Sequence, residues 1–405
     1  MLQAELNSSR MMTFQELLTF YEDHLYRQVL PFWLTHGVDR EVGGVFTLLG
    51  DDGTRHSDDK VMWSQGRVLW VYSVLYNELG RDPQWLEFAH KTAHFILEHG
   101  RDNSGAWLFR VSRRGEPVEG PESIYVDAFA LYGLTEYIRV TGDPKALEAG
   151  REIFRRTSPL LNDHGKLPTR PHPIPAGLQS HGPSMIFALV YHELGLLTQD
   201  SEILARALEL AEIIMTQHLK PQHQVLFEFV RPGGEPAEGD VGQTYLPGHV
   251  IESMWFMERV YAYHQRSDRI RQTLEAIRWH IEKGWDEEFG GLFLARNAAG
   301  GKPVWHSPDA KVWWPVTEAL YGLLRAYELC GEPWCMEWYW RVHDYAFSHY
   351  PNREHGDWYQ YLDRQGRPTI NLVPGLGVKD PFHLPRALIY SIKTLRRLAE
   401  KQPSS

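Results

Sequence analysis

A short connector recurs along this chain and constrains its architecture more than any other feature. It reads Gly-Arg-Asp-Pro from Gly80 to Pro83, Gly-Asp-Pro from Gly142 to Pro144 and Gly-Glu-Pro from Gly331 to Pro333. Each is a helix stop fused to a helix start: Gly takes the left-handed position after one helix, the acid caps the next, and Pro occupies its first turn. The flanking helices differ consistently. Residues 124–137 (IYVDAFALYGLTEY) are apolar on nearly every side, whereas residues 145–157 (KALEAGREIFRRT) carry charge on one face. The first is therefore surrounded by protein and the second borders water.

A Gly-rich, aromatic third element follows the outer helix, at residues 39–46, 102–109, 286–293 and 354–361. Turn signals such as Arg114-Gly115-Glu116-Pro117 predict short hairpins or long loops there. Inner helices are predicted to start near Trp63, Tyr125, Pro183, Gly248, Trp313 and His383, about 57 to 70 residues apart. Six such pairs close into two concentric helix layers, an all-α (α/α)6 barrel with hairpins at one end. No βαβ alternation and no heptad seam competes with this reading. A capping box over Thr13 to Glu16 opens the first helix, so residues 1–10 are expected to form a loose extension and residues 11–400 one barrel domain.

Composition excludes several classes of function. A formal net charge of -10 without a basic stripe disfavours nucleic acid as a partner. Apolar runs all stop short of a membrane span and the first residues lack a basic-then-apolar signal, so a cytoplasmic location and no membrane partner are expected. Cys330 and Cys335 fit neither a disulfide framework nor a zinc site. With 15 Trp, 19 Tyr and 17 Phe the chain is rich in flat rings, most of them core packing. The exceptions belong at the mouth where the N-termini of the inner helices converge, with their free N–H groups and dipoles facing the cavity.

That register selects Trp63 and Arg67, Tyr125 and Asp127, His249 and Glu252, then Lys311, Trp313, Trp314 and Glu318, and finally His383 and Arg386. His249 and Glu252 stand three apart on one helix, and His383 with Arg386 repeats the spacing from another side of the ring. Two histidines opposed across a pocket suit a reaction in which one group removes a proton from carbon and the other returns it. Of the 20 histidines most must be structural, and His90, His94, His172 and His223 are read as such. His249 and His383 differ in occupying helix starts in Pro-bearing, apolar surroundings.

The segments Lys60 to Arg67 (KVMWSQGR), Pro247 to Trp255 (PGHVIESMW), Lys311 to Glu318 (KVWWPVTE), Trp358 to Gly366 (WYQYLDRQG) and Phe382 to Arg386 (FHLPR) resemble, in order, the signature stretches of the N-acylglucosamine 2-epimerase family. That family also includes cellobiose 2-epimerases and mannose and sulfoquinovose isomerases. The resemblance runs from about Thr13 to Leu398 and implies an (α/α)6 barrel acting on reducing sugars without a redox cofactor or an obligatory metal. It places the catalytic pair on His249 and His383, with Arg67, Glu252 and the Trp313–Trp314 pair lining the sugar site. Tyr125, Glu318 and Arg386 join them as substrate-binding candidates by their register. The implied reaction opens the sugar ring, abstracts the C2 proton to an enediolate stabilised by Arg67, and returns a proton to C2, with Glu252 orienting His249. Return to C1 instead gives the ketose.

Substrate signals are mixed. Aldose–ketose isomerases and cellobiose epimerases carry a His on the third inner helix where Ile186 stands here. N-acylglucosamine epimerases carry an Arg before Pro-Gly-His, where Gln243 stands, and a His after the Trp pair, where Val316 stands; a glucose–mannose 2-epimerase also fits. An (α/α)6 glycoside hydrolase would need paired carboxylates, for which Asp127, Glu252 and Glu318 are candidates, and a non-catalytic sugar-binding protein would lack the histidine pair. No further ligand stands at metal spacing from His249 and Glu252, so no metal site is expected. ATP activates some family members, but no motif here indicates it, and family resemblance is compatible with a homodimer.

Overall fold

The computed structural model describes residues 12–370 and 377–401. The predicted extension over residues 1–10 lies outside the described residues. The first helix, α1, runs Phe14–His24 and continues through a π turn, Leu25–Val29, into Leu30–His36. It is opened by the predicted capping box, Thr13 N donating to Glu16 Oε2 at 2.8 Å and Glu16 N to Thr13 Oγ1 at 3.2 Å. There follow α2 (Met62–Glu78), α3 (Pro83–His99), α4 (Ile124–Thr141), α5 (Pro144–Leu160), α6 (His181–Thr198) and α7 (Ser201–Ile213). The last five are α8 (Pro247–Tyr263), α9 (Ser267–Gly284), α10 (Trp313–Cys330), α11 (Pro333–His349) and α12 (His383–Lys401).

Even-numbered helices form the inner ring and odd-numbered ones the outer layer. α4 is buried on all sides from Val126 to Ile138, whereas α5 buries only a stripe through Ala146, Ala149, Ile153 and Thr157. The inner helices pack in sequence, α2 on α4, α6, α8, α10 and α12, and α12 meets α2 to close the ring while α1 backs α12 from outside. α2 and α4 cross at paired glycines: a Cβ on Gly133 would lie 2.2 Å from the Gly66 carbonyl oxygen, so only Gly permits this approach.

Two connectors behave as their sequences predict. Asp82 caps α3 by accepting from Gln84 N, and Asp143 caps α5 by accepting from Lys145 N and Ala146 N. Gly142 and Gly331 end α4 and α10 in the left-handed region at φ 64° and 67°. Glu332 differs in making no side-chain cap to α11.

The predicted hairpin segments are closed by single bridges such as Val38 to Val45 and Trp285 to Leu292, beside ribbons of two or three residues, and the placement of the ribbons matters for the site. Lys60–Val61, Gln179–Ser180, Thr244–Tyr245 and Lys311–Val312 each run directly into or just before an inner helix and pair with a strand from another hairpin. They pin the N-termini of α2, α6, α8 and α10 at one face of the barrel. Two buried lysines repeat the same lock: Lys60 Nζ lies 3.1 Å from Asp39 Oδ2, and Lys311 Nζ 3.0 Å from Asp286 Oδ2. Lys311 is thus a fastening of the hairpin layer rather than a group facing the mouth.

Candidate active site

The six inner helices converge on a cavity of about 200 Å³. That is more than ten times the ~10–15 Å³ one water needs, so it has room for a small organic molecule. Each inner helix contributes from its first turns: Trp63 and Arg67 from α2, Tyr125 and Phe129 from α4, Met185 and Ile186 from α6. His249 and Glu252 come from α8, Trp313 and Trp314 from α10, and His383 from α12. All these helices point their positive ends at the cavity, a field that favours negative charge forming inside it.

His249 reaches the cavity because α8 and α10 come unusually close. A Cβ on Gly248 would lie 2.5 Å from Pro315 Cβ, so the Pro-Gly-His start of α8 lets Trp314 stand 5.1 Å from the His249 ring, centroid to centroid. Nδ1 of His249 is 3.2 Å from Glu228 Oε2, whose other oxygen accepts from Ser180 Oγ at 3.0 Å. Burial alone would drive His249 toward the neutral form, but Glu228, with Glu252 and Glu318 behind it, outweighs burial and raises the pKa. Conversely, burial would raise the Glu228 carboxyl, but His249 and His181 hold it well below the usual carboxylate range.

His383 is built differently. Its Nδ1 lies 2.8 Å from Glu318 Oε1, and Arg386 Nη2 approaches the same nitrogen at 3.4 Å. The shorter contact assigns the Nδ1 proton to the bond with Glu318. Arg386 Nη2 also donates to Glu318 Oε1 at 2.7 Å and to Glu252 Oε1, and Trp255 Nε1 donates to Glu318 Oε2 at 3.0 Å. Burial drives the His383 pKa well below the ordinary value; Glu252 opposes this, but the Arg386 and Arg67 guanidiniums add to the fall. In both clusters Nδ1 is engaged by a carboxylate, and Nε2 of each ring has no protein partner among the described residues.

Trp314 stands between the two rings, 5.1 Å from His249 and 5.8 Å from His383, while Trp313 lies 6.3 Å from His383. Arg67 stacks on Phe129 at 4.0 Å and donates from Nη1 to Asp380 Oδ2 at 3.0 Å. Its Nε is buried without a hydrogen-bond partner among the described residues. Opposite, two loops meet: His172 stacks on Trp305 at 4.8 Å, and both border the cavity with His306. Burial, reinforced by His249, lowers the His172 pKa to about 4.

Arg67, Tyr125, His249, Glu252, Trp313, Trp314 and His383 are therefore brought together as the sequence predicted, with Trp63 beside them. Several expectations need correction. Glu252 does not orient His249; Glu228 does, while Glu252 pairs with Arg386 and lies 4.0 Å from His383. Glu318 and Arg386 do not line the cavity but stand behind His383, each 1% exposed. Asp127 turns outward to Arg156 on α5. His172, read as a bystander, borders the cavity. Glu228 and His181 escaped notice, although a lone acid inside the apolar run Val225 to Val230 (VLFEFV) is a signal of a buried carboxylate with a partner.

Ligand-type atoms also gather where sequence spacing suggested no metal. Those of His181, Glu228 and His249 lie within 4.8 Å of one another, as do those of Glu252, Glu318 and His383. In the second group the Arg386 guanidinium already bridges the two carboxylates. Among the described residues no helix is long and apolar enough to cross a membrane.

Over 401 residues the chain is 31% identical to the N-acylglucosamine 2-epimerase of Bos taurus, covering 96% of this chain and 94% of the relative. The human N-acylglucosamine 2-epimerase is 30% identical, covering 89% of this chain and 86% of the relative. In fold it resembles the cellobiose 2-epimerase of Bacillus thermoamylovorans, with a TM-score of 0.80 at 21% identity over 93% of this chain and 99% of that one. Residues 44–385 match the family described as N-acylglucosamine 2-epimerase (GlcNAc 2-epimerase), and the chain belongs to that family.

Proposed function

We propose that this chain interconverts the C2 epimers of a reducing aldose, with N-acetylglucosamine and N-acetylmannosamine as the substrate pair. The observation that carries this reading is the pair of imidazoles flanking Trp314, each backed by its own carboxylate and biased to opposite protonation states. Environments that push two titratable groups apart separate base from acid. The relatives named above, similar along nearly the whole chain, support the choice of sugar.

In this mechanism the open-chain aldehyde lies against Trp314 with C2 between the rings. Neutral His383 takes the C2 proton on Nε2, and the C–H electron pair moves into a C1–C2 double bond as the carbonyl oxygen becomes negative. Arg67 and the converging helix N-termini stabilise that oxygen. Protonated His249 returns a proton to C2 from the opposite face. The other direction runs from the opposite protonation pattern. One proton leaves and one arrives at the same carbon, so the sugar is neither oxidised nor reduced and the step calls for no redox cofactor or ATP.

The hydrolase reading is disfavoured because its carboxylates are committed: Arg386 joins Glu252 to Glu318, and Asp127 is held by Arg156. The test is NMR in heavy water with N-acetylmannosamine, glucose, mannose and cellobiose. Deuterium at C2 together with the 2-epimer is expected for N-acetylmannosamine. Preference for mannose or glucose would reassign the substrate, ketose signals would make the enzyme an isomerase, and no exchange with any of the four would refute the proposal.

A further inference from the structure

The two histidine clusters each gather an imidazole and carboxylate oxygen, but only one contains its own cation. Beside His383, Arg386 bridges Glu252 and Glu318. Beside His249 the corresponding place is taken by His181, fully buried at 0% exposure: its Nδ1 stands 3.6 Å from Glu228 Oε2, a long contact, and its Nε2 has no hydrogen-bond partner among the described residues. His164, His218 and His280, equally enclosed, each keep a ring nitrogen bonded to backbone. An enclosed imidazole with one nitrogen unpaired and the other only loosely held is costly, and one aimed at a carboxylate that already holds a second imidazole calls for an explanation.

We infer that His181, Glu228 and His249 form a Zn2+ site, and that zinc bound there inhibits the enzyme. Nδ1 of His181 is 3.6 Å and Nδ1 of His249 is 3.2 Å from the same oxygen, Glu228 Oε2, and the three ligand atoms lie within 4.8 Å of one another. A tetrahedral ion with bonds of about 2.0–2.2 Å keeps its ligands about 3.3–3.6 Å apart, so two of the three edges are already close to coordination distance. Two imidazoles and one carboxylate suit zinc rather than magnesium or calcium, which prefer all-oxygen sets. Ser180 fixes the carboxylate from its far oxygen, the kind of outer support that ligands of bound metals receive. Glu228 and His249 border the cavity, which supplies water as the fourth ligand.

Binding displaces the Nδ1 proton of each imidazole. His249 then keeps its ring proton on Nε2, where it is neither gained nor released near neutral pH, and proton return to the sugar stops. This consequence rests on the epimerase reading; the metal site itself does not.

The test is calorimetric titration of the full-length, EDTA-stripped protein with ZnCl2, with CoCl2 as a spectroscopic substitute. One Zn2+ per chain is expected, together with the intense visible absorption of Co2+ at low coordination number. Epimerisation should fall in proportion to occupancy and return on adding EDTA. His181→Gln should bind zinc at least about tenfold more weakly, and its remaining activity should no longer respond to zinc. If that variant does not fold, the Co2+ spectrum of the unaltered protein decides: weak octahedral bands alone overturn the site. Absence of uptake, equal uptake by His181→Gln, or full occupancy without loss of activity also overturns the inference. The binding arm uses no sugar, so its failure is distinct from failure of the epimerase reading.

Discussion

His249 and His383 face one cavity with the same elementary unit, an imidazole whose Nδ1 is held by a buried carboxylate, yet they are biased to opposite protonation states. The difference lies in the third member of each cluster. Burial pushes both rings toward neutrality; beside His383, Arg386 adds a permanent positive charge to that push, so a second positive charge on the ring is disfavoured. Glu228 has no guanidinium paired with it among the described residues and leaves its negative charge to His249, which outweighs burial and biases that ring toward the cationic form. The proposed two-base reaction needs one base and one acid at rest, and under that proposal the charge of the neighbour, rather than the identity of the residue, makes the assignment.

The largest effect that tests this contrast comes from removing each ring alone. His249→Asn and His383→Asn should each lower epimerisation by about 10²–10⁴-fold, the range general acid–base groups supply. The two variants should not be equivalent, because each keeps the base for one face of C2. In heavy water, His249→Asn should still wash deuterium into the epimer whose C2 proton faces His383, without inverting it. His383→Asn should do the same with the other epimer only. If both variants exchanged the same epimer, the rings would not lie on opposite faces and the comparison would fail.

The second test sharpens the electrostatic half of the contrast. The His383 base must be neutral, so kcat/KM should rise with pH through its depressed pKa. The His249 acid must be protonated, so the rate should fall as pH climbs through its raised pKa. The result is a broad bell around neutrality whose limbs belong to the pair. Glu228→Gln removes the charge that raises His249, so the falling limb should move to lower pH by about one unit or more while the rising limb stays. Movement of the rising limb instead would reverse the assignment of acid and base.

How much of this was legible in the sequence follows from how far each partner lies along the chain. The ring of helices was legible because Asp82, Asp143, Gly142 and Gly331 act on their own helix ends, within a few residues. The mouth was legible because helix register places Trp63, Tyr125, His249, Trp313 and His383 near N-termini. The wiring behind the rings was not. Spacing of three suggested that Glu252 serves His249 and that Arg386 faces the sugar beside His383. Instead Arg386 reaches across to α8 and α10, to residues 134 and 68 positions away. Glu228 comes from the bend between two two-residue strands, Val225–Leu226 and Phe229–Val230, 21 residues before His249, and no periodicity relates such a bend to a helix start. Local rules place side chains on faces; which buried charge pairs with which is decided by neighbours that only the closed ring brings together.

The smallest effect concerns the rim, where neither cluster reaches. The positions that by analogy spoke against N-acyl recognition do not face the cavity: Val316 is buried within α10, and Gln243 lies in the segment preceding α8, outside the cavity lining. His172 does face it, stacked on Trp305, with no side-chain hydrogen bond to another described residue and with a pKa lowered to about 4. A neutral imidazole held flat on an indole can donate or accept one hydrogen bond to a sugar substituent without adding charge near His249. His172→Ala should therefore raise KM for N-acetylmannosamine by about three- to tenfold, the worth of one hydrogen bond of about 1 kcal/mol, with kcat nearly unchanged. A fall in kcat with unchanged KM would instead tie His172 to proton transfer, since His172 feels the charge of His249. The split between the two constants thus decides whether the rim selects the sugar or belongs to the cluster beneath it.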